Sequence, residues 1–329
     1  MGKIIAFLLV SCFCGVASAD YAAGVKAYAE KRWPQAYAEF LPLAHAGDFR
    51  SQYYIGRMHL DGTGTVQDTD KAIEFFSKAA AQNYAVAQAT LGFMYAEGIG
   101  VKENKKKAVE LYTLSADQGN GDALLNLGVL YYTGNGVSKN VEKAIGYFSK
   151  ISPAEKPAVA KYLGDIYLNE EKFKDPKKAY TYYVLAAKSG DIDSYHVLGT
   201  MYQDGIHVEK NITEAMKYYM YAAAKGYAPS QYALGVIYAN GDGVPRDNSK
   251  AHAYFSLAAA KEMEQAVNAK ELLEENMSLS ERDKANRAML TVQQEDLGTI
   301  QSPIKDKTTT TNEQPAEKKR VTIRRRRRR

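Results

Sequence analysis

Residues 87–101 read Ala87-Gln88-Ala89-Thr90-Leu91-Gly92-Phe93-Met94-Tyr95-Ala96-Glu97-Gly98-Ile99-Gly100-Val101, and residues 107–112 read Lys107-Ala108-Val109-Glu110-Leu111-Tyr112. Both halves of this stretch return along the chain. Gly92 belongs to a ladder of Gly56, Gly92, Gly128, Gly164, Gly199 and Gly235, with steps of 36, 36, 36, 35 and 36 residues. Ala108 belongs to a second ladder, Ala36, Ala72, Ala108, Ala144, Ala179, Ala215 and Ala251, with an aromatic four residues after each: Phe40, Phe76, Tyr112, Phe148, Tyr183, Tyr219 and Phe255. A spacing of four puts each alanine and its aromatic on one helix face. A period this long describes a chain of stacked supersecondary units, each burying its apolar face against its neighbours.

Each unit reads as helix, loop, helix. The loops carry paired glycines, as in Gly62-Thr63-Gly64, Gly98-Ile99-Gly100, Gly134-Asn135-Gly136 and Gly241-Asp242-Gly243. Such pairs stop one helix and turn the chain into the next. They lack the Lys-Ser/Thr of a phosphate loop and the strand that precedes a dinucleotide-binding turn, so they read as turns. A glycine inside a helix is unfavourable by itself. Its return in Leu-Gly-x-x-Tyr, as in Leu91-Gly92-Phe93-Met94-Tyr95 and Leu234-Gly235-Val236-Ile237-Tyr238, predicts close helix–helix packing.

The combined pattern resembles the SEL-1-like repeat (SLR) family, a relative of the tetratricopeptide repeat, over residues 44–260. The resemblance implies an all-α, right-handed α/α superhelical solenoid of about seven helix-pair repeats, with a C-terminal capping helix region. The expected organisation is a signal peptide at 1–19, a solenoid at 20–297 and a disordered basic tail at 298–329. The expected units lie near 20–46, 47–82, 83–118, 119–154, 155–190, 191–225 and 226–261, with a cap at 262–297. The first unit, with Trp33, Ala36 and Phe40 but no paired-glycine loop, is closer to a plain tetratricopeptide repeat. The unit around Gly164 also departs, with Pro153 and Pro157 before it and a glycine-free loop from Asn169 to Pro176. It reads as a drifted repeat, or as a kink or partner contact. In the cap, helices are expected over 262–276 and 280–295, the second with Ser280 as N-cap.

Met1-Gly2-Lys3, an apolar run and Ala17-Ser18-Ala19 read as a secretory signal peptide, with the mature chain starting at Asp20. The expected location is outside the cytoplasm: a bacterial periplasm first, a secreted state second. A competing reading takes Leu9-Val10-Ser11-Cys12 as a lipobox that acylates Cys12. In a eukaryotic secretory route, Asn211-Ile212-Thr213 and Asn276-Met277-Ser278 would be glycosylation acceptors. Both cysteines, Cys12 and Cys14, precede the expected cleavage site, so a mature chain has no disulfide, thiol nucleophile or thiolate metal site. That separates the chain from the cysteine-rich SLR branch and from any penicillin-binding or β-lactamase activity there.

Charge is uneven. Residues 302–329 hold eleven Lys/Arg against three Asp/Glu, and without these and Lys3 the rest carries 31 Lys/Arg against 35 Asp/Glu. The tail ends in Arg324, Arg325, Arg326, Arg327, Arg328 and Arg329, a run that attracts polyanions. An anionic envelope surface or acidic partner is expected rather than specific nucleic acid, since no folded nucleic-acid reader accompanies the charge.

No H-E-x-x-H or G-x-S-x-G pattern occurs, and the five histidines fall at no metal-ligand spacing. The expectation is therefore a binding protein, not an enzyme, with no cofactor and no metal. In repeats of this type the first helix of each pair lines the concave face. The positions three before, one after and four after each ladder glycine vary between units while the frame does not. From them the candidate groove residues are Tyr53, Arg57, Phe93, Leu125, Tyr132, Lys161, His196 and Tyr232. Aromatic and arginine side chains in a groove suit protein or peptide recognition. SLR relatives imply an adaptor or scaffold role, and some bacterial ones take part in host interaction. The runner-up readings are a binder of peptidoglycan or polysaccharide and a virulence or host-interaction factor.

Overall fold

The structure is a computed structural model describing residues 19–296 and 301–304 of the 329-residue chain. The expected leader up to residue 18 and the tail arginines Arg324, Arg325, Arg326, Arg327, Arg328 and Arg329 lie outside the described residues. Sixteen α-helices and one 3-10 helix make up the regular structure among the described residues.

The chain divides between Val159 and Ala160 into two compact units. The first pairs α1 (Tyr21–Ala29) with α2 (Trp33–His45), α3 (Phe49–Asp61) with α4 (Thr69–Ala81), α5 (Ala85–Glu97) with α6 (Lys105–Ala116), and α7 (Gly121–Thr133) with α8 (Val141–Phe148). Consecutive helices pack on one another from α1 through α8. Helix α9 (Ala158–Asn169) begins at the division. The second unit continues with α10 (Pro176–Lys188), α11 (Ile192–Asp204), α12 (Ile212–Ala224), α13 (Ala228–Asn240) and α14 (Asn248–Ala259), and ends with α15 (Glu264–Glu275) and α16 (Leu279–Asp296). Helix α16 lies against α14 and reaches α12, and His252 Nε2 meets Glu274 Oε1 at 2.6 Å, tying α14 to α15.

Both ladders serve one contact. The face of each ladder glycine lies on the ladder aromatic of the next helix. A Cβ on Gly92 would stand 2.9 Å from the Tyr112 ring and 3.3 Å from the Ala108 carbonyl oxygen. On Gly128 it would stand 2.3 Å from Phe148, on Gly199 2.7 Å from Tyr219 and on Gly235 2.5 Å from Phe255. All seven ladder alanines are fully buried, so the second helix of each pair approaches at both positions. The first pair uses the same contact through Gly24, which sits against Phe40. Gly24 lies 32 residues before Gly56, outside the 36-residue step, and the sequence reading passed over it.

A third ladder sets the second helices in phase. Asp68, Asn104, Asn140, Asp175, Asn211 and Asp247 cap α4, α6, α8, α10, α12 and α14. Each side chain accepts a hydrogen bond from the backbone N–H three residues on, which satisfies a donor that the helix leaves unpaired. Asn211, one of the two glycosylation-like asparagines, is thus committed to capping. Glutamines link neighbouring helices: Gln52, Gln88 and Gln231 each donate to the carbonyl of Ala44, Ala80 and Ala223 in the preceding helix.

The departure around residues 149–176 has a local cause. Pro153 and Pro157 disfavour helix, α8 stops after eight residues, and the Asn169–Pro176 connection forms a 3-10 turn at Glu171–Phe173 instead of a paired-glycine bend. The C-terminal cap differs from expectation in one detail. The N-cap of α16 is Ser278, not Ser280. Ser278 Oγ accepts from the Glu281 N–H at 3.3 Å and donates to its carboxylate at 2.8 Å, and that carboxylate takes the Ser278 N–H at 2.7 Å. Glutamate reaches back across three positions and closes this box, whereas Ser280 is followed at that spacing by the shorter Asp283.

The glycine contact predicts opposite signs for one substitution at two sites. Gly92→Ala drives a methyl into the buried Tyr112 ring and should cost about 1–3 kcal/mol. Gly146→Ala, in α8 with open space around its missing Cβ, should gain about 0.5–1 kcal/mol from helix propensity. Urea unfolding of the two variants checks both signs.

Candidate functional site

Within the first unit, α3, α5 and α7 line a cleft of about 390 Å³. From α3 come Tyr53, Arg57, Leu60 and Asp61; from α5, Ala89, Thr90 and Phe93; from α7, Asn126, with Asn120 and Asp122 at its start. A second cleft of about 240 Å³ adjoins it, and Phe93 and Asn126 line both. The Phe93 ring is 47% exposed. An exposed phenylalanine in a concave place is an apolar surface that a partner can cover.

The α3 wall is built in layers. Tyr53 packs edge-on against Tyr84 at 5.7 Å between ring centres and tilts against Phe76 at 5.6 Å, so its ring is fixed from behind. Arg57 extends beside it, and its Nη2 donates to Asp61 Oδ2 at 3.1 Å, one helical turn on. The Arg57 Nε is buried and has no hydrogen-bond partner. A buried unpaired donor is costly, and a guanidinium donor more so. The site therefore offers an apolar ring, a part-exposed guanidinium that Asp61 engages through Nη2, and the Asn126 amide within one concavity.

The sequence-derived residues separate on this geometry. Tyr53, Arg57 and Phe93 come together in the cleft. Leu125 is half-buried and Tyr132 sits under the Lys139 ammonium at 5.6 Å; neither lines the cleft. The sequence reading missed Asn126. It falls two residues before the ladder glycine, a position not taken as groove-facing, where the other units carry Tyr54, Thr90, Tyr162, Val197 and Ala233. The only amide in that row was the available signal.

Lys161, His196 and Tyr232 belong to the second unit, and there each has partners of its own. Lys161 Nζ bridges Asp165 at 3.1 Å and Asp193 at 2.9 Å. Tyr183 donates to Asp165 at 2.6 Å, and Tyr227 donates to Asp193. His196 Nδ1 meets Ser230 Oγ at 3.0 Å, with the Tyr219 and Tyr227 rings packed against it. Tyr232 tilts against Phe255 at 5.6 Å within the core around α13 and α14.

These contacts set the charge states. Burial alone would lower the Lys161 ammonium, but the hydrogen bond to Asp193 and the charge of Asp165 outweigh it and hold Lys161 above the ordinary lysine range. Burial alone would raise Asp193, but the bonds from Tyr227 and Lys161 hold its carboxyl below the ordinary value. Burial pushes His196 below its usual 6.5, against the opposing charge of Asp193, so the ring is neutral at pH 7.

Both lowered groups make the fold acid-sensitive, in separate windows. The unfolded chain takes up the His196 proton first, so stability falls as pH drops below about 6.5 toward the lowered folded value. The Asp193 contribution is complete above about 4 and is lost as pH falls through its lowered value. Denaturant unfolding across pH 3–7 should therefore weaken in two steps. His196→Gln should flatten the upper step and Asp193→Asn the lower one.

Among the described residues no helix is long and apolar enough to cross a membrane, and no cluster of His, Cys, Asp and Glu could hold a metal ion. A comparison with curated proteins finds no match. Several solved structures resemble the chain, two of them as follows. A protective antigen present in uropathogenic Escherichia coli strains, c5321, which displays an SLR fold, matches at 27% identity and a TM-score of 0.71 over 87% of this chain. This chain spans 65% of that protein's length. A Sel1 repeat protein from Oxalobacter formigenes matches at 28% identity and a TM-score of 0.61, over 74% of this chain and 100% of its own. The Sel1 repeat pattern itself matches residues 50–84, 85–120, 121–152, 158–191, 192–227 and 228–262, leaving the α1–α2 pair outside. Sel1 repeat proteins are in general scaffolds for protein–protein interaction. With six matched repeats, helix pairs packed in sequence and an SLR fold in its solved neighbours, the chain belongs to the Sel1 repeat family.

Proposed function

We propose that this chain is an exported scaffold that captures a protein partner through an extended peptide segment laid in the α3–α5–α7 cleft. The observation that carries this reading is the exposed Phe93 in the concavity, flanked by the part-exposed Arg57 guanidinium. A peptide with an aliphatic or aromatic side chain covers Phe93, and a neighbouring carbonyl or carboxylate oxygen accepts from the exposed part of the Arg57 guanidinium. Asn126, between the two clefts, pairs with peptide backbone. The site holds no cofactor in this reading and performs no covalent chemistry.

Export is supported by the leader-like residues 1–19 and by the likeness to c5321, a protective antigen. The arginines at 324–329 add a second, electrostatic contact to an anionic surface or acidic partner. That contact should weaken with salt, whereas a cleft-bound peptide should survive it.

Selection from a random peptide library on the purified protein tests the cleft. Wild type should enrich sequences joining a large apolar residue to an acidic residue or a free C-terminus. Binding of an enriched peptide, read by calorimetry, should fall at least tenfold on Phe93→Ala or Arg57→Met. Because Phe93 is largely exposed, Phe93→Ala should leave thermal unfolding nearly unchanged. Enrichment indifferent to both substitutions, or no enrichment, would remove the cleft from the function.

A further inference from the structure

In the second unit, residues 301–304 lie against the side of α10, α11 and α12. Ser302 Oγ is 2.8 Å from Tyr195 Oη, and Ile304 packs on the core formed by Ala179, Tyr183, Leu198, Met201, Tyr218 and Ala222. The Tyr195 ring is 3% exposed and leans on Tyr221 at 4.2 Å between ring centres. The segment is shaped for this seat. Pro303 fixes its own φ and keeps Ser302 out of helical geometry. Ser302 Oγ accepts from the Ile304 N–H at 3.2 Å, closing a small turn that points the isoleucine inward. One hydroxyl thus shapes the turn and meets the receptor phenol.

The seat is particular to this repeat. Tyr195 stands four residues before its ladder glycine, the register position that Gln52, Gln88 and Gln231 use to grip the preceding helix. Here a tyrosine holds the position and its hydroxyl meets the chain's own later segment instead.

We propose that this face is a docking site for a Ser-Pro-aliphatic turn, and that its occupant is this chain's own residues 301–304, bound in cis. The chain arrives from α16, which already lies across α14 and touches α12. The site is separate from the α3–α5–α7 cleft and does not rest on the function proposed for it.

A labelled synthetic peptide of residues 299–308 tests the proposal by fluorescence anisotropy on the full chain. A double variant, Ser302→Ala with Ile304→Asp, vacates the site without touching the receptor helices. The peptide should bind this variant at least tenfold more tightly than wild type, whose own segment competes. A peptide with the same two changes should not bind, and Tyr195→Phe in the double variant should weaken uptake. Equal binding to both proteins would overturn the proposal. So would no binding to the double variant at about 1 mM peptide, the effective concentration that a short tether supplies. Concentration-dependent dimerisation of wild type that the double variant abolishes would place the occupant on another copy, and would overturn the cis assignment.

Discussion

The contact between a ladder glycine and the aromatic of the following helix is what the other repeating features serve. Two helices of side-chain-bearing residues settle 8–10 Å apart, and removing a Cβ at the crossing lets a flat ring lie on the backbone. In α5 and α6 the ring is Tyr112, 1% exposed, with Ala108 one turn earlier at 0%. The second helix must therefore enter at a fixed height, or the ring misses the glycine. The Asp/Asn caps at positions such as Asn104 supply that height, since Asn104 starts α6 four residues before Ala108 and eight before Tyr112. The paired-glycine bend supplies the direction: Gly98 closes α5 at φ +69°, in the left-handed region. Cap, bend and glycine are three constraints on one crossing, and they recur together in the pairs α3–α4, α5–α6, α7–α8 and α13–α14.

That interdependence explains what was legible. The helix pairs, their loops and their buried ladders could be read because a repeated contact prints a repeated residue. What escaped had no period. Gly24 makes the same contact with Phe40, but α1 and α2 are joined without the glycine bend, so its spacing is short. The α16 cap moved from Ser280 to Ser278 because the deciding partner, Glu281, lies inside the helix, where its reach-back is invisible without coordinates. At the candidate site the register gave Tyr53, Arg57 and Phe93, which the cleft unites, and missed Asn126. It could not separate them from Lys161, His196 and Tyr232, because a register says where a side chain points and not what meets it.

The two units use the same rows differently. In the first unit the rows around Tyr53 and Phe93 leave a ring exposed and a donor unpaired. In the second, Lys161, Asp165, Asp193, Tyr183 and Tyr227 close on one another. A closed network of this kind specifies packing, and its cost and gain are both internal. In the same unit, residues 301–304 are seated on the side of α10–α12. Among the described residues the first unit thus keeps an open cleft and the second a seat filled by the chain itself.

Arg57 and Lys161 show how side-chain chemistry enters this difference. Both stand in rows read as groove-facing, both carry a full charge, and each has an aspartate one helical turn on, at 3.1 Å. Lysine presents a single ammonium, and two carboxylates, Asp165 and Asp193, saturate it. Arginine presents five N–H donors in a rigid fork, and Asp61 engages only Nη2, leaving Nε buried and unpaired. A lysine at 57 would satisfy itself on Asp61 and offer a partner nothing directional. An arginine held by one carboxylate is positioned by it and still has a donor to give. Arg57 stands one residue after its ladder glycine and Lys161 three before, and the difference in residue type leaves one ion pair with donors to spare and the other held by two carboxylates.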